Sequence, residues 1–330
     1  KNYNNKVSSM RLWNGWGNEN SELLMELNSG LRNLLQMLVG PATPLGEATL
    51  EQVMAKVPAS RAPAHPLIST DPEIRVRHAR GQSLPDWLAM HSGDVDSFPD
   101  AVALPENSEQ VRELLRYARD NNINVIPYGG GTSVVGHINP EISPRPILTI
   151  DMSTMNKLLH FDRESQLATF GAGTPGPEVE AQLQKEGYTL GHFPQSWELS
   201  TVGGWVASRS SGQQSLHYGR IENMFAGGSI ETLAGTLDIP TIPASSAGPD
   251  IREMILGSEG RMGIITEVVV RVTKLPEKES FQVVFFPSWE VGLQAARELI
   301  QQRIALSMVR LSNPLETTSL LYMGAGDDSS

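Results

Sequence analysis

The sequence predicts an α+β protein. Three observations carry that prediction. Strand-like and helix-like runs follow one another without the strict βα alternation of a doubly wound parallel sheet. Gly 30 and Pro 22 together are about 16% of the 330 residues, against a typical level of about 12%, which marks many turns. The apolar fraction of 39% still permits a core, and the length suits two domains of ordinary size.

The first ~95 residues read as an irregular preface (residues 1–95) with helices near Glu22–Leu38 and Leu50–Val57 between Pro-rich spacers. A regular block follows over residues 96–276. Ala101–Leu104 is a short strand, Ser108–Asn121 an amphipathic helix, and Asn124–Ile126 an apolar strand entering a Gly-rich loop. Ile147–Asp151, Leu158–Asp162 and Leu167–Gly171 are strands, and Pro177–Glu186 is a helix. A Ser- and Gly-rich loop leads to a hairpin at Ile230–Ile239, a short helix at Asp250–Leu256 and a β-branched strand at Ile264–Thr273. Pro276 closes the block. Residues 277–330 begin another unit, with strand Phe281–Phe286, helix Glu290–Gln302 and strand Ser307–Leu311. A helical run at Pro314–Met323 stops in a Gly-Ala-Gly-Asp-Asp tail, so the chain is expected to end inside a domain.

Composition removes several functions. A net charge of −11 argues against nucleic acid as a partner. With no Cys there is no disulfide, thiolate metal site, iron–sulfur cluster or cysteinyl cofactor link. No apolar run approaches the roughly 18 residues of a membrane span, and no secretory signal opens the sequence. A cytoplasmic location is the simplest expectation. His78, His192 and His217 lack the spacing of a metal site, and none is expected.

Three segments carry chemistry. Pro127-Tyr128-Gly129-Gly130-Gly131-Thr132-Ser133 follows an apolar strand. Its glycines allow positive φ and close approach, and successive amides with two hydroxyls form a nest for anionic oxygens. A pyrophosphate is the natural occupant; the competing reading is a plain sharp turn. Gly171-Ala172-Gly173-Thr174-Pro175-Gly176 matches G-x-G-x-x-G, but Pro175 removes an amide and Pro194 breaks the segment that should carry the acid. It is read as a decoy. The third runs from His192 through Pro194-Gln195-Ser196-Trp197-Glu198-Leu199-Ser200-Thr201-Val202-Gly203-Gly204-Trp205 to Ala207-Ser208-Arg209-Ser210-Ser211-Gly212. Small and hydroxyl residues crowd a helix start and offer amides to phosphate, ribose or a ring. A capped, Ser-rich surface loop would look the same. His137 reads as an ordinary loop histidine.

With Gly257-Ser258-Glu259-Gly260-Arg261-Met262-Gly263-Ile264-Ile265, these segments resemble the vanillyl-alcohol-oxidase superfamily, whose FAD-binding domain is of the PCMH type. Trp13-Asn14-Gly15-Trp16-Gly17 and the run Ser200–Val206 continuing to Tyr218-Gly219-Arg220-Ile221-Glu222 are similar to its alkyl-dihydroxyacetonephosphate synthase branch. The resemblance implies a two-subdomain FAD-binding fold followed by the start of an α+β cap domain. It implies that the Pro127 loop holds the FAD pyrophosphate, that Pro194–Thr201, Gly203, Gly204 and Ala207–Ser210 line the cofactor, and that Glu259–Ile265 runs beside the adenine half and the pyrophosphate. Some members link flavin through a His where Thr132 stands here, or through a Cys, so non-covalent FAD is expected. Arg310 matches a family arginine near the flavin and is the expected catalytic residue. The family's Tyr and His cluster beyond the cap find no counterpart here: the last His is His217.

The implied activity is ether-lipid synthesis, in which a long-chain alcohol replaces an acyl group on the substrate while flavin N5 holds the substrate carbon. The alternatives are an FAD-linked oxidase or dehydrogenase of a 2-hydroxy acid and a flavin-binding protein without turnover. Expected partners are a small-molecule or lipid-like substrate, with at most peripheral membrane contact; a homodimer stays open.

Overall fold

A computed structural model describes residues 11–18, 29–43, 45–243 and 246–324. The chain divides into two compact units. The larger comprises Trp13–Gly15 and Glu47–Glu277, and the other Lys1–Leu12, Trp16–Gly46 and Lys278–Ser330.

In the larger unit, strands β1 (Ile68–Ser69), β2 (Ala101–Ala103), β3 (Asn124–Tyr128) and β4 (Ile147–Asp151) form a sheet of order β1-β2-β4-β3. β2 and β3 both run parallel to β4, while β1 is antiparallel to β2. Helix Ser108–Asp120 supplies the parallel crossover. The Asn107 side chain caps it by accepting from the Gln110 amide at 3.0 Å. Its Val111, Leu114, Leu115 and Ala118 share one buried face, packed on Leu148 and Ile150.

β5 (Leu158–Asp162), β6 (Leu167–Gly171), β8 (Phe225–Thr232), β9 (Gly235–Ile239) and β10 (Ile264–Arg271) form a fully antiparallel sheet of order β5-β6-β10-β8-β9. β7 (Tyr188–Thr189) pairs with β11 (Thr273–Lys274). Helices Gly176–Lys185 and Val202–Ser208 pack on this sheet, and Trp205, Phe170 and Leu183 are fully buried there. The two cores meet at the start of β10. Ile264 joins the core of the first sheet and Ile265 that of the second, because consecutive strand residues face opposite ways.

The α+β expectation holds, and β4, β5 and β6 occupy the expected residues. Three local differences have physical causes. β8 begins five residues before the expected Ile230 because Gly227 and Gly228 hide the strand pattern. A Cβ there would lie 2.4 Å from Ile239 O and 2.2 Å from Glu267 O, so close strand packing selects glycine over a β-former. Within the preface, helices Pro72–Arg77 and Leu84–Ser92 form on the N-caps Asp71 and Ser83, each with an early Pro. Their apolar residues, with Val53 and Trp13, make a third small core.

The other unit carries helices Ser29–Val39, Trp289–Gln301 and Pro314–Gly324. The earlier part of the helix expected at Glu22–Leu38 lies outside the described residues. The strands expected at Phe281–Phe286 and Ser307–Leu311 do not form: both segments are coil. A strand needs a neighbour to take its backbone hydrogen bonds, and neither finds one among the described residues. Both instead pack on Gly292, whose Cβ would lie 2.9 Å from Leu311 Cδ1 and 3.2 Å from Phe286 Cδ2.

Candidate functional site

A groove of about 390 Å³ lies within the larger unit, where the loop after β3, the start of helix Val202–Ser208 and the turn before β10 converge. All of Pro127–Ser133 lines it. So do Ser196, Ser200, Thr201, Gly203, Gly204, Ala207, Ser208, Ser210, Glu259, Gly260, Gly263, Ile264 and Ile265. Segments about 70 and 130 residues apart in sequence thus share one wall.

Two of the loop glycines are required for reasons other than positive φ. Only Gly131 takes it, at 62°. A Cβ on Gly129 would lie 2.5 Å from Thr201 Oγ1, and one on Gly130 only 1.8 Å from Leu199 O. The β3 loop is therefore stacked backbone-on-backbone against Leu199–Thr201, and a side chain would part them. Among the described residues, the amides of Thr132 and Ser133 take no protein acceptor, so they are available to a ligand.

The helix start behaves otherwise than expected. Val202 N donates to Thr174 O at 3.0 Å, Gly203 N to Ala172 O at 2.8 Å and Gly204 N to Thr201 Oγ1 at 3.3 Å. Its amides are already used, so this helix contributes small side chains and close approach, not donors. Trp205 Nε1 donates to Ser200 Oγ at 2.7 Å and fixes that hydroxyl at the wall.

The remaining expected residues lie off the groove. Pro194 is buried, Gln195 and Glu198 are exposed, and Leu199 presents its carbonyl to Gly130. Trp197 packs over Gly176. Arg209, the left-handed C-cap of helix Val202–Ser208, pairs with Glu253 at 2.5 Å and Glu222 at 3.8 Å. Arg261 and Met262 line a neighbouring cavity of about 670 Å³ behind Pro127 and Gly263. Arg310 belongs to the other unit, is 57% exposed in its side chain and pairs with Glu316. The G-x-G-x-x-G decoy is a packing turn: Cβ atoms on Gly171 and Gly173 would strike the carbonyls of Met155 and Met152.

The groove also collects residues the sequence reading missed. Val134, Val135, His137, Ile138, Met152, Ala172 and Trp205 line it. His137 is bonded at both ring nitrogens, to Ser133 Oγ at 3.0 Å and Glu259 Oε2 at 3.1 Å. Only its four-residue distance from Ser133 could have signalled this. One layer deeper, His192 places Nε2 2.8 Å from Ser210 Oγ and stacks edge-on to Trp205 at 4.9 Å. Its Nδ1 is buried without a partner, and burial pushes the imidazole down to about 4. Ser210 thus meets the groove backed by a neutral ring.

A narrow groove floored by glycine backbone, walled by hydroxyls and edged with apolar residues fits a long ligand that joins an anionic middle to aromatic ends. Comparisons with known proteins agree. The family model of an FAD binding domain matches residues 99–237. Alkyldihydroxyacetonephosphate synthase from Dictyostelium discoideum is 39% identical over 250 residues, 76% of this chain and 41% of that protein. D-lactate dehydrogenase [cytochrome] 1, mitochondrial, from Saccharomyces cerevisiae is 30% identical over 244 residues, 70% of this chain and 41% of that protein. A solved alkyldihydroxyacetonephosphate synthase superposes with a TM-score of 0.82 at 31% identity, covering 94% of this chain and 63% of that one. The chain thus spans about two fifths of the length of these curated relatives. FAD is its cofactor. The chain thus carries an FAD binding domain and is similar, in sequence and in fold, to the alkyldihydroxyacetonephosphate synthases among the PCMH-type FAD-binding flavoproteins.

Proposed function

We propose that this chain is the cofactor-holding part of an enzyme that makes alkyl-dihydroxyacetone phosphate, exchanging an acyl for an alkyl group. The observation that carries this reading is the extent of the structural likeness. An FAD domain alone is shared with dehydrogenases, but the superposition on the synthase covers 94% of the chain and so reaches well beyond residues 99–237.

The chain's own residues then have separable tasks. The Thr132 and Ser133 amides and hydroxyls hold the diphosphate. Ser200, fixed by Trp205, and Ser210, backed by His192, orient the cofactor along the wall. Ile264, Ile265 and Val134 exclude water from the groove. FAD would supply a ring that accepts electron density from the substrate carbon and returns it. Arg310 is our candidate for stabilising negative charge on substrate or ring, through a rigid fork of donors. Residues 277–330 are read as the start of a cap domain. The substrate is taken to be lipid-like and met at a membrane surface by a cytoplasmic, peripheral protein. Among the described residues no helix is long and apolar enough to cross a membrane.

Anaerobic mixing of the FAD-loaded protein with substrates tests this. The expected result is alcohol exchange on acyl-dihydroxyacetone phosphate with the flavin still yellow. Bleaching by D-lactate or another 2-hydroxy acid, without exchange, would replace the synthase reading with the dehydrogenase one.

A further inference from the structure

The groove brings no Lys or Arg to its cofactor, although FAD carries an anionic diphosphate. It does bring a carboxylate. Glu259 sits there at φ 51°, in the turn that precedes β10. A carboxylate beside a diphosphate is repelled unless something of opposite charge stands with it.

His137 is placed to do that. Its Nε2 lies 3.1 Å from Glu259 Oε2 and its Nδ1 3.0 Å from Ser133 Oγ. A carboxylate can only accept, so Nε2 carries a hydrogen. With both nitrogens engaged, the ring is held at the rim between the β3 loop and the β10 turn. The His137 and Glu259 side chains are 34% and 35% exposed, so the pair adds little to folding stability. Losing it should not unfold the chain.

We propose that His137 is a cofactor-binding residue, the cation that neutralises Glu259 and offers positive charge to the FAD diphosphate in a groove otherwise built of amides and hydroxyls. The proposal rests on FAD occupying this groove and not on the reaction that follows.

Fluorescence titration of apoprotein with FAD tests it. His137→Gln keeps hydrogen bonding but removes the charge, and should raise Kd about tenfold or more. Two recoveries follow from a charge role and not from a packing role. His137→Lys should return Kd to within about threefold of the parent. Adding Glu259→Gln to His137→Gln should restore most of the loss, because the unpaired carboxylate is gone. Either recovery supports the proposal. A parental Kd in His137→Gln overturns it, as does the lack of both recoveries. Failure of the parent chain to bind FAD would sink the groove assignment as well, whereas a parent that binds FAD without catalysing exchange leaves His137 to be judged on these titrations alone.

Discussion

At the scale of single residues, burial has made His192 a group that must stay neutral. Its folded value of about 4 lies below the ordinary 6.5, so between those pH values the unfolded chain binds the extra proton and the folded one does not. Stability from this group is therefore full above pH 6.5 and is lost as pH falls toward 4, by roughly 3 kcal/mol. Urea unfolding of the parent and of His192→Gln from pH 7 to pH 4 should show the parent losing more, by about that amount. Parallel profiles would mean that the ring is not held neutral by its surroundings. Arg310 poses the opposite question, because it is exposed and already paired with Glu316. If it works on the substrate, Arg310→Lys should keep FAD bound and lose about tenfold or more in turnover. Parental turnover in that variant would return Arg310 to the solvated surface.

At the scale of elements, the loop after β3 owes its shape to a partner far away in sequence. A Cβ on Gly130 would penetrate the Leu199 carbonyl at 1.8 Å, so even alanine must push the two segments apart. Overpacking of this kind costs typically 1–3 kcal/mol. Gly130→Ala should lower the melting temperature and weaken FAD binding together, read by calorimetry and by flavin fluorescence. Weakened FAD binding with unchanged melting would mean that the loop contacts only the cofactor. This contact also marks how far the sequence could be read. Strands β4 to β6 and the Gly-rich loop were legible because their signals are local: alternation, β-branching and glycine runs. What Gly129 and Gly130 are for was not, since positive φ and tertiary contact leave the same letter. The helix start at Thr201 misled for a related reason. Its small residues look like donors for a ligand, but Thr174 and Ala172 take those amides. The segments 281–286 and 307–311 have strand letters but, among the described residues, no neighbour to pair with, and β-propensity does not act without one.

At the scale of the molecule, the groove is where two sheets of different character are joined. The β3 loop leaves the mostly parallel sheet, the β10 turn enters the antiparallel one, and both line the same cavity within one compact unit. The two walls also touch directly there: a Cβ on Gly260 would lie 2.8 Å from Pro127 Cγ. A ligand lying in the groove touches both and adds to their union. On the proposed reading, in which FAD binds the folded groove and not the unfolded chain, it stabilises by mass action, about 2.7 kcal/mol at 100 times Kd. For a domain of this size, that corresponds to a melting shift of roughly 5–10 °C. The measurement also tests non-covalent attachment. With no Cys in the chain and Thr132 in place of a linking histidine, acid precipitation should release all the flavin as intact FAD. Apoprotein refolded from that precipitate should melt lower by this amount and recover fully on titration with FAD. Flavin retained on the chain would overturn the non-covalent reading. Identical melting with and without FAD would mean that the two sheets are joined by their own contacts, with the cofactor a passenger.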